Sequence, residues 1–355
     1  MLFEHFFYTA SYRSVDKQTH DIIVIGSSAG GVQALKELVR SFPKDLAASI
    51  FIVQHLAADH VSLLPQILSN QGPLPAVHPK DGELIRQGTI YVAQPDHHLV
   101  IDDKHILVKR GPKENNFRPS IDALMRSAAY WYGPRVIGVV LTGYLNDGTS
   151  GLWSVKQFGG MTVIQSPSDA IHPDMPRNVL EYVDVDYNLP LSEIGPLLNS
   201  LVQSLVTSSN QQDELLKTRI KAETEIAAQQ NALAKGINKM GEKTDLTCPE
   251  CGGALTGIVE GNAVRYRCHT GHGFSSMALW TSIAENVEIK LWQSLRSIEE
   301  GILFLEQSAT RFEIQGNQPD ADVLFQKADL LKLRSKILLD YIYSHGQIND
   351  IRPEL

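Results

Sequence analysis

Thiols are scarce in this chain: among 355 residues only Cys248, Cys251 and Cys268 are cysteine, and all three fall in one short stretch. So few exclude a disulfide framework, and their clustering suits a metal site in a reducing compartment. Long apolar runs are missing too. No stretch approaches the roughly 18 to 20 apolar residues needed to cross a bilayer. The opening MLFEHFFYTASYRSVDK has no basic segment followed by an apolar one. A cytoplasmic protein, not inserted in a membrane, is therefore expected. Nor is there an excess of basic residues, since 32 Lys and Arg face 40 Asp and Glu for a formal charge of -8. This balance speaks against nucleic acid or an anionic membrane surface as partner, because both recruit clustered Lys and Arg. What remains, 43% hydrophobic and 20% charged, is the composition of a folded protein long enough for two or three domains.

From Asp21 to about Leu205, short apolar runs (IIVIG, IFIVQ, TIYVA, VIGVVL, MTVI) alternate with helical patterns such as GGVQALKELVRSF and SIDALMRSAAYWY. The alternation predicts a largely parallel sheet covered by helices. LVIDDKHILV reads as a hairpin added to that sheet. The expected units are a tail over 1–20, a main domain over 21–206, a helical linker over 207–245, a small Cys-containing module over 246–274 and a helical hairpin over 275–355. Leu216, Ile220 and Leu233 are spaced too sparsely for a well-buried linker helix. In the C-terminal part Ile283, Val287, Leu291, Ile298, Ile302 and Leu305 share one helical face. Across the segment QGNQPDAD, Leu324, Ala328, Leu331, Leu338 and Ile342 share another. These stripes form either a mutual core or a surface for a partner.

DIIVIG runs directly into Ser27-Ser28-Ala29-Gly30-Gly31 and a helical segment, a tight turn at the carboxyl end of a parallel strand, where sites in such sheets collect. Glycines beside a serine let the backbone turn sharply, and the helix N-terminus offers unpaired N–H groups to a developing oxyanion. Ser28 is thus a candidate nucleophile. A phosphate loop is the competing reading, but the dinucleotide fingerprint needs glycine where Ser28 stands. Simple helix capping is the structural one. Two further strand ends carry polar groups: IFIVQ ends at His55, and VIGVVLTG leads into Tyr144-Leu145-Asn146-Asp147-Gly148. If these strands adjoin the first, His55 can take the Ser28 proton and Asp147 can hold the imidazole. Singly, a strand-end histidine bonded to backbone and a turn aspartate are the ordinary alternatives.

IIVIGSSAGG, IVQHL, YVAQPDHHL, FRPSIDALM, GVVLTGYLNDGTSGL and DMPRNV, in that order, resemble the catalytic domain of chemotaxis protein-glutamate methylesterases over about residues 20 to 206. The resemblance implies an α/β fold with a doubly wound, mostly parallel sheet and helices on both faces. It implies hydrolysis of glutamate γ-methyl esters, often with glutamine deamidation, on the cytoplasmic region of methyl-accepting chemoreceptors. Carried over, the triad is Ser28, His55 and Asp147, and the oxyanion donors are the backbone N–H groups of Ala29 and Tyr144. No cofactor is implied for the reaction. Arg118 to Asp122 and Met175 to Arg177 also match; for Ser120 a helix cap is expected, and Arg118 and Arg177 serve either the fold or the substrate. Three departures stand out. Tyr144-Leu145 replaces the usual Met-Gly, no phosphoacceptor receiver domain is expected ahead of the esterase, since only about 20 residues lie upstream of Asp21, and the C-terminal extension resembles one found in a subset of relatives lacking that receiver. Aspartyl phosphorylation within the chain is therefore not the expected switch, and the C-terminal helices are candidate contacts for a methyltransferase or another signalling protein.

In that extension Cys248 and Cys251 stand at C-x₂-C spacing before two glycines, and Cys268 and His272 at C-x₃-H spacing complete four N/S donors suited to tetrahedral zinc. His269 is the rival to His272, and the resemblance favours the final histidine of CHTGH. Four protein ligands leave no open position, so a structural, zinc-ribbon-like module is expected. A dithiol redox pair would leave Cys268 and His272 unexplained. Two other functional readings stay open: a signalling adaptor with an esterase-like domain that binds without turnover, and a nucleotide-binding α/β protein.

Overall fold

The computed structural model describes residues 18–57, 61–206, 213–229 and 231–345; most of the tail, and parts of the linker and of the C-terminal hairpin, lie outside them. The main domain begins with β1 (Ile22–Ser27), α1 (Gly31–Arg40), β2 (Ser49–Gln54) and α2 (Leu64–Gln71). Five strands follow: β3 (Ala76–Val77), β4 (Glu83–Leu84), β5 (Ile90–Val92), β6 (His98–Asp102) and β7 (His105–Lys109). Then come α3 (Ile121–Tyr132), β8 (Val136–Val140), α4 (Thr149–Gln157), β9 (Met161–Gln165), α5 (Asp174–Tyr182), β10 (Tyr187–Leu189) and α6 (Leu191–Gln203).

Seven strands form one parallel sheet in the order β10-β9-β8-β1-β2-β5-β3. β1 is central, with β2, β3 and β5 on one side of it and then β8, β9 and β10 on the other, which is the doubly wound pattern and puts the topological switch beside β1. Its run of β-branched residues is buried on both sides. Ile23 and Ile25 join α1, α2 and α6 in one core, while Ile22 and Val24 join α3, α4 and α5 in the other. Gly26 permits the close approach of α3, since a Cβ there would overlap the Ile121 side chain.

One expectation needs correcting. β6 and β7 do pair as an antiparallel hairpin, but with β4 they build a separate three-stranded sheet and add nothing to the parallel one. Leu99 and Ile101 face the core under α3, whereas Val100 packs with Ala123 and Ala227, so β6 needs cover on both faces.

The linker stretch supplies α7 (Glu214–Ala227), and its burial is deeper than the sparse apolar pattern suggested. Ile220, Ile226 and Ala227 point inward, and so does Glu223, which is fully buried. Glu223 belongs to a cluster with Glu114, Glu260, Arg126, Arg265 and Arg267. Arg265 lies 2.5 Å from Glu223 and 2.9 Å from Glu260, Arg267 lies 2.9 Å from Glu114 and 3.0 Å from Glu223, and Arg126 lies 3.0 Å from Glu114. Burial alone would push the Glu114 carboxyl up; the guanidinium groups of Arg126 and Arg267 outweigh it and hold the group well below the usual carboxylate range.

Arg265 and Arg267 come from the C-terminal module, a four-stranded antiparallel sheet of β11 (Glu242–Thr247), β12 (Ala254–Glu260), β13 (Ala263–Cys268) and β14 (Gly273–Ser275). β14 leads into α8 (Ser276–Ile314), capped by the Ser275 side chain, and α9 (Gln318–His345) returns alongside it. Lys332 reaches Glu306 at 2.7 Å and Trp292 meets Tyr343, so the two helices run antiparallel. Most of the segment expected to separate them, from Gln318 on, is already helical. Among the described residues no helix is long and apolar enough to cross a membrane.

Candidate active site

The carboxyl ends of β1, β2 and β8, three adjacent strands, carry Ser28, His55 and the loop to Asp147. Gln54 ties the first two together. Its side-chain nitrogen donates to the carbonyls of Ser28 (2.8 Å) and His55 (2.9 Å), and its oxygen accepts from Ser27 Oγ at 2.8 Å. The third loop is pressed against the serine, since a Cβ at Gly143 would stand 2.8 Å from Ser28 Cβ.

His55 Nε2 lies 2.9 Å from Asp147 Oδ2. Asp147 is 1% exposed and sits at the N-terminus of α3, where it accepts from Ile121 N–H (2.7 Å), Ser120 Oγ (2.9 Å) and Asn115 Nδ2 (3.0 Å). Burial would raise its carboxyl, but the bond to His55, the imidazole charge and these donors together hold it below the ordinary aspartate value. An anionic Asp147 fixes the proton of His55 on Nε2 and leaves Nδ1 as the basic nitrogen. Nδ1 is buried and has no hydrogen-bond partner among the described residues. The imidazole also stacks on Phe117, with ring centroids 3.7 Å apart and planes 9° from parallel.

On the other side of Ser28, Thr142 accepts the Ser28 N–H at 3.0 Å and its hydroxyl donates to the Ala29 carbonyl. Among the described residues neither the Ala29 nor the Tyr144 N–H finds an acceptor. Leu145 is held at φ 64° and its carbonyl accepts from Asn178 at 2.6 Å. A branched side chain in the left-handed region costs about 1 kcal/mol.

The structure adds residues that sequence reasoning did not single out. Phe117 closes a turn with Glu114 in which Asn115 (φ 52°) and Asn116 (φ 72°) are both left-handed, the geometry that an Asn-Asn pair could have announced. Asp122 accepts from Gly148 N–H (3.0 Å) and Gly151 N–H (2.6 Å) at the start of α4. Burial and the neighbouring Asp147 charge push its carboxyl up to about 7. Ser120 caps α3 as expected and in addition donates to Asp147. Arg118 is committed to Asp96 and the Gly111 carbonyl, so it serves the fold, while Arg177 is exposed on α5.

In the module the donor atoms of Cys248, Cys251, Cys268 and His272 all lie within 4.8 Å of one another. Three of the separations are 3.6 to 3.7 Å, close to the roughly 3.7 Å edge of a tetrahedron of ligands about 2.3 Å from zinc. This donor set can hold a metal ion. His269 packs over the Gly253 backbone instead, outside the cluster.

The CheB methylesterase family profile matches residues 23–198. A putative protein-glutamate methylesterase/protein-glutamine glutaminase of Leptospira interrogans is 38% identical over 186 residues, covering 52% of this chain and 96% of that protein. The protein-glutamate methylesterase/protein-glutamine glutaminase of Methanosarcina barkeri is 34% identical over 183 residues, covering 49% of this chain but only 50% of its own length. The crystal structure of the Thermotoga maritima CheB methylesterase catalytic domain superposes with a TM-score of 0.50 at 33% identity, covering 52% of this chain and 100% of that one.

Proposed function

The chain belongs to the CheB methylesterase family, and from that premise we propose that it hydrolyses protein glutamate γ-methyl esters, and deamidates the corresponding glutamines, through an acyl-enzyme on Ser28. The substrate is the cytoplasmic region of a methyl-accepting chemoreceptor. The observation that carries this reading is the imidazole of His55, bound through Nε2 to the buried Asp147 and offering an unpartnered Nδ1 one strand away from Ser28.

Ser28 Oγ attacks the ester carbonyl while His55 Nδ1 takes its proton, and Asp147 stabilises the imidazolium that results. The negative charge that builds on the carbonyl oxygen is met by the Ala29 and Tyr144 N–H groups, each worth on the order of 10²- to 10³-fold in rate. His55 then returns the proton to departing methoxide, or to the amide nitrogen of a glutamine, which leaves as ammonia. Water, activated by the same nitrogen, releases the acid.

Cys248, Cys251, Cys268 and His272 hold a structural zinc ion in this reading. Zinc closed by four protein donors supplies cross-linking of the module and no open position for substrate. The decisive experiment is methanol release from methylated receptor fragments by the wild-type chain and Ser28→Ala. Release that depends on Ser28 supports the esterase. Its absence across several fragments, with folding verified, favours the adaptor, for which the exposed Leu303, Phe304, Leu333 and Ile337 of the hairpin offer a protein-binding face.

A further inference from the structure

Asn115 is 3% exposed, and every polar atom of its side chain is engaged. The amide nitrogen donates to Asp147 Oδ1 at 3.0 Å and to Asp122 Oδ2 at 2.7 Å. The amide oxygen accepts the backbone N–H of Ser275 at 2.8 Å. A primary amide has two N–H bonds, one for each carboxylate, and Ser275 N–H can only donate, so the orientation of the amide is fixed from the module side. The backbone repeats the connection. Asn115 N–H donates to Gly273 O at 2.8 Å, and Gly273 N–H donates to Lys113 O at 3.1 Å. Gly273 directly follows His272, whose own carbonyl accepts Cys268 N–H at 3.0 Å. The metal-binding cluster and the carboxylate that orients His55 are thus joined through His272, Gly273 to Ser275, and Asn115.

We propose that Asn115 is a positioning residue for the esterase reaction and that the C-terminal metal module completes the active site by holding it in place. This rests on the esterase reading above. Asp147 works only if its Oδ2 stays aimed at His55 Nε2, and its Oδ1 is anchored by Asn115 and Ser120. Without Asn115 the Oδ1 loses one of its three donors, Ser120 Oγ and the Asp122 N–H remaining, and no side-chain amide bridges the two carboxylates. Ser275 also donates its hydroxyl to Asn146 Oδ1 at 2.8 Å, on the residue preceding Asp147, so β14 braces the catalytic loop at two points.

Two variants of the full chain test this. Asn115→Asp keeps an acceptor for Ser275 N–H but offers at most one hydrogen for the two carboxylates, and Asn115→Gly removes the side chain and every donor with it; both tolerate the left-handed backbone. Ser28 reactivity is read as the rate of covalent labelling by a fluorophosphonate, with Ser28→Ala as blank, and turnover as methanol release. Both variants should lose about 10- to 100-fold in labelling rate and kcat with KM within about twofold, the loss expected for one charge-assisted hydrogen bond. Stripping zinc with a chelator should slow wild-type labelling by a similar factor, slow Asn115→Gly little further, and raise amide exchange over residues 113–117. Wild-type rates in Asn115→Gly, or an equal further loss in both proteins on stripping, overturn the proposal while leaving the esterase intact. A wild-type Ser28 that neither labels nor releases methanol overturns the esterase reading, and this inference with it.

Discussion

His55 and Asp147 are 92 residues apart in the chain and meet because β2 and β8, which flank β1 in one parallel sheet, end there. The four metal donors lie within residues 248–272 and meet because two short turns bring them together. The supports differ as much as the routes. The crevice rests on two apolar cores, one on each face of the sheet. The module's core is small, and two of its members, Cys248 and Cys268, are themselves metal donors. One arrangement is a property of the fold, whereas the other, in the zinc reading proposed above, draws on an ion for its own folding.

The largest effect that would sharpen this contrast is loss of metal. Cys268→Ser should abolish the module's own calorimetric transition, on the scale of about 10 kcal/mol seen for structural zinc in small domains, while the sheet still unfolds cooperatively. If the sheet melts with the module, the two regions are one unit and the contrast fails. Next in size, Asp147→Asn should lower kcat about 10³- to 10⁴-fold, measured by methanol release, because the imidazole takes the wrong tautomer. Zinc content should not change.

The charge cluster belongs to both regions. Arg126→Met leaves Glu114 and Glu223 short of a partner in a buried site and should cost about 3–5 kcal/mol in denaturant unfolding. Both transitions should fall; a shift in only one would assign the cluster to that region alone. A subtler link runs through Asp122, whose carboxyl burial and Asp147 raise to about 7 and Arg265 lowers. Because the folded value lies above the unfolded one near 3.9, ionising Asp122 opposes folding. Its penalty is absent below about pH 4, grows as pH rises toward 7 and then levels off. Carbon-13 titration should find one buried aspartate near 7, and Arg265→Met should move it higher; a set of carboxyls all titrating below 5 would refute the assignment. Smallest of all, Leu145→Gly should stabilise the main domain by about 1 kcal/mol by relieving the left-handed backbone, read as a small rise in Tm.

The parallel sheet was legible because its signal is local: IIVIG and VIGVVL are β-branched runs of strand length separated by helical periods. The metal donors were legible for the same reason, as spacing. Much of the crevice was not. Asn115 gains its meaning from Ser275, 160 residues later. Gln54 looks like an ordinary strand-end residue until its amide is seen bridging two loops. Glu223 reads as a solvent-facing residue of a polar linker, and the arginines that make its burial tolerable come from α3 and β13. Pairing across such distances leaves no periodic trace. The hairpin over 98–109 was recognised, but its place was not, since alternation does not say which sheet a strand joins.

The bond between Asn115 and Ser275 has a consequence in time. Ribosomes add on the order of 5–20 residues per second, so the 160 residues between these partners take on the order of ten seconds to make. During that interval β1, β2 and β8 are already available to pair, with the serine and histidine at their ends, while the brace on Asp147 does not yet exist. The emerging chain therefore passes through a stage in which the sheet is built and the hydrolase is unfinished, and translation of the last third is what arms it.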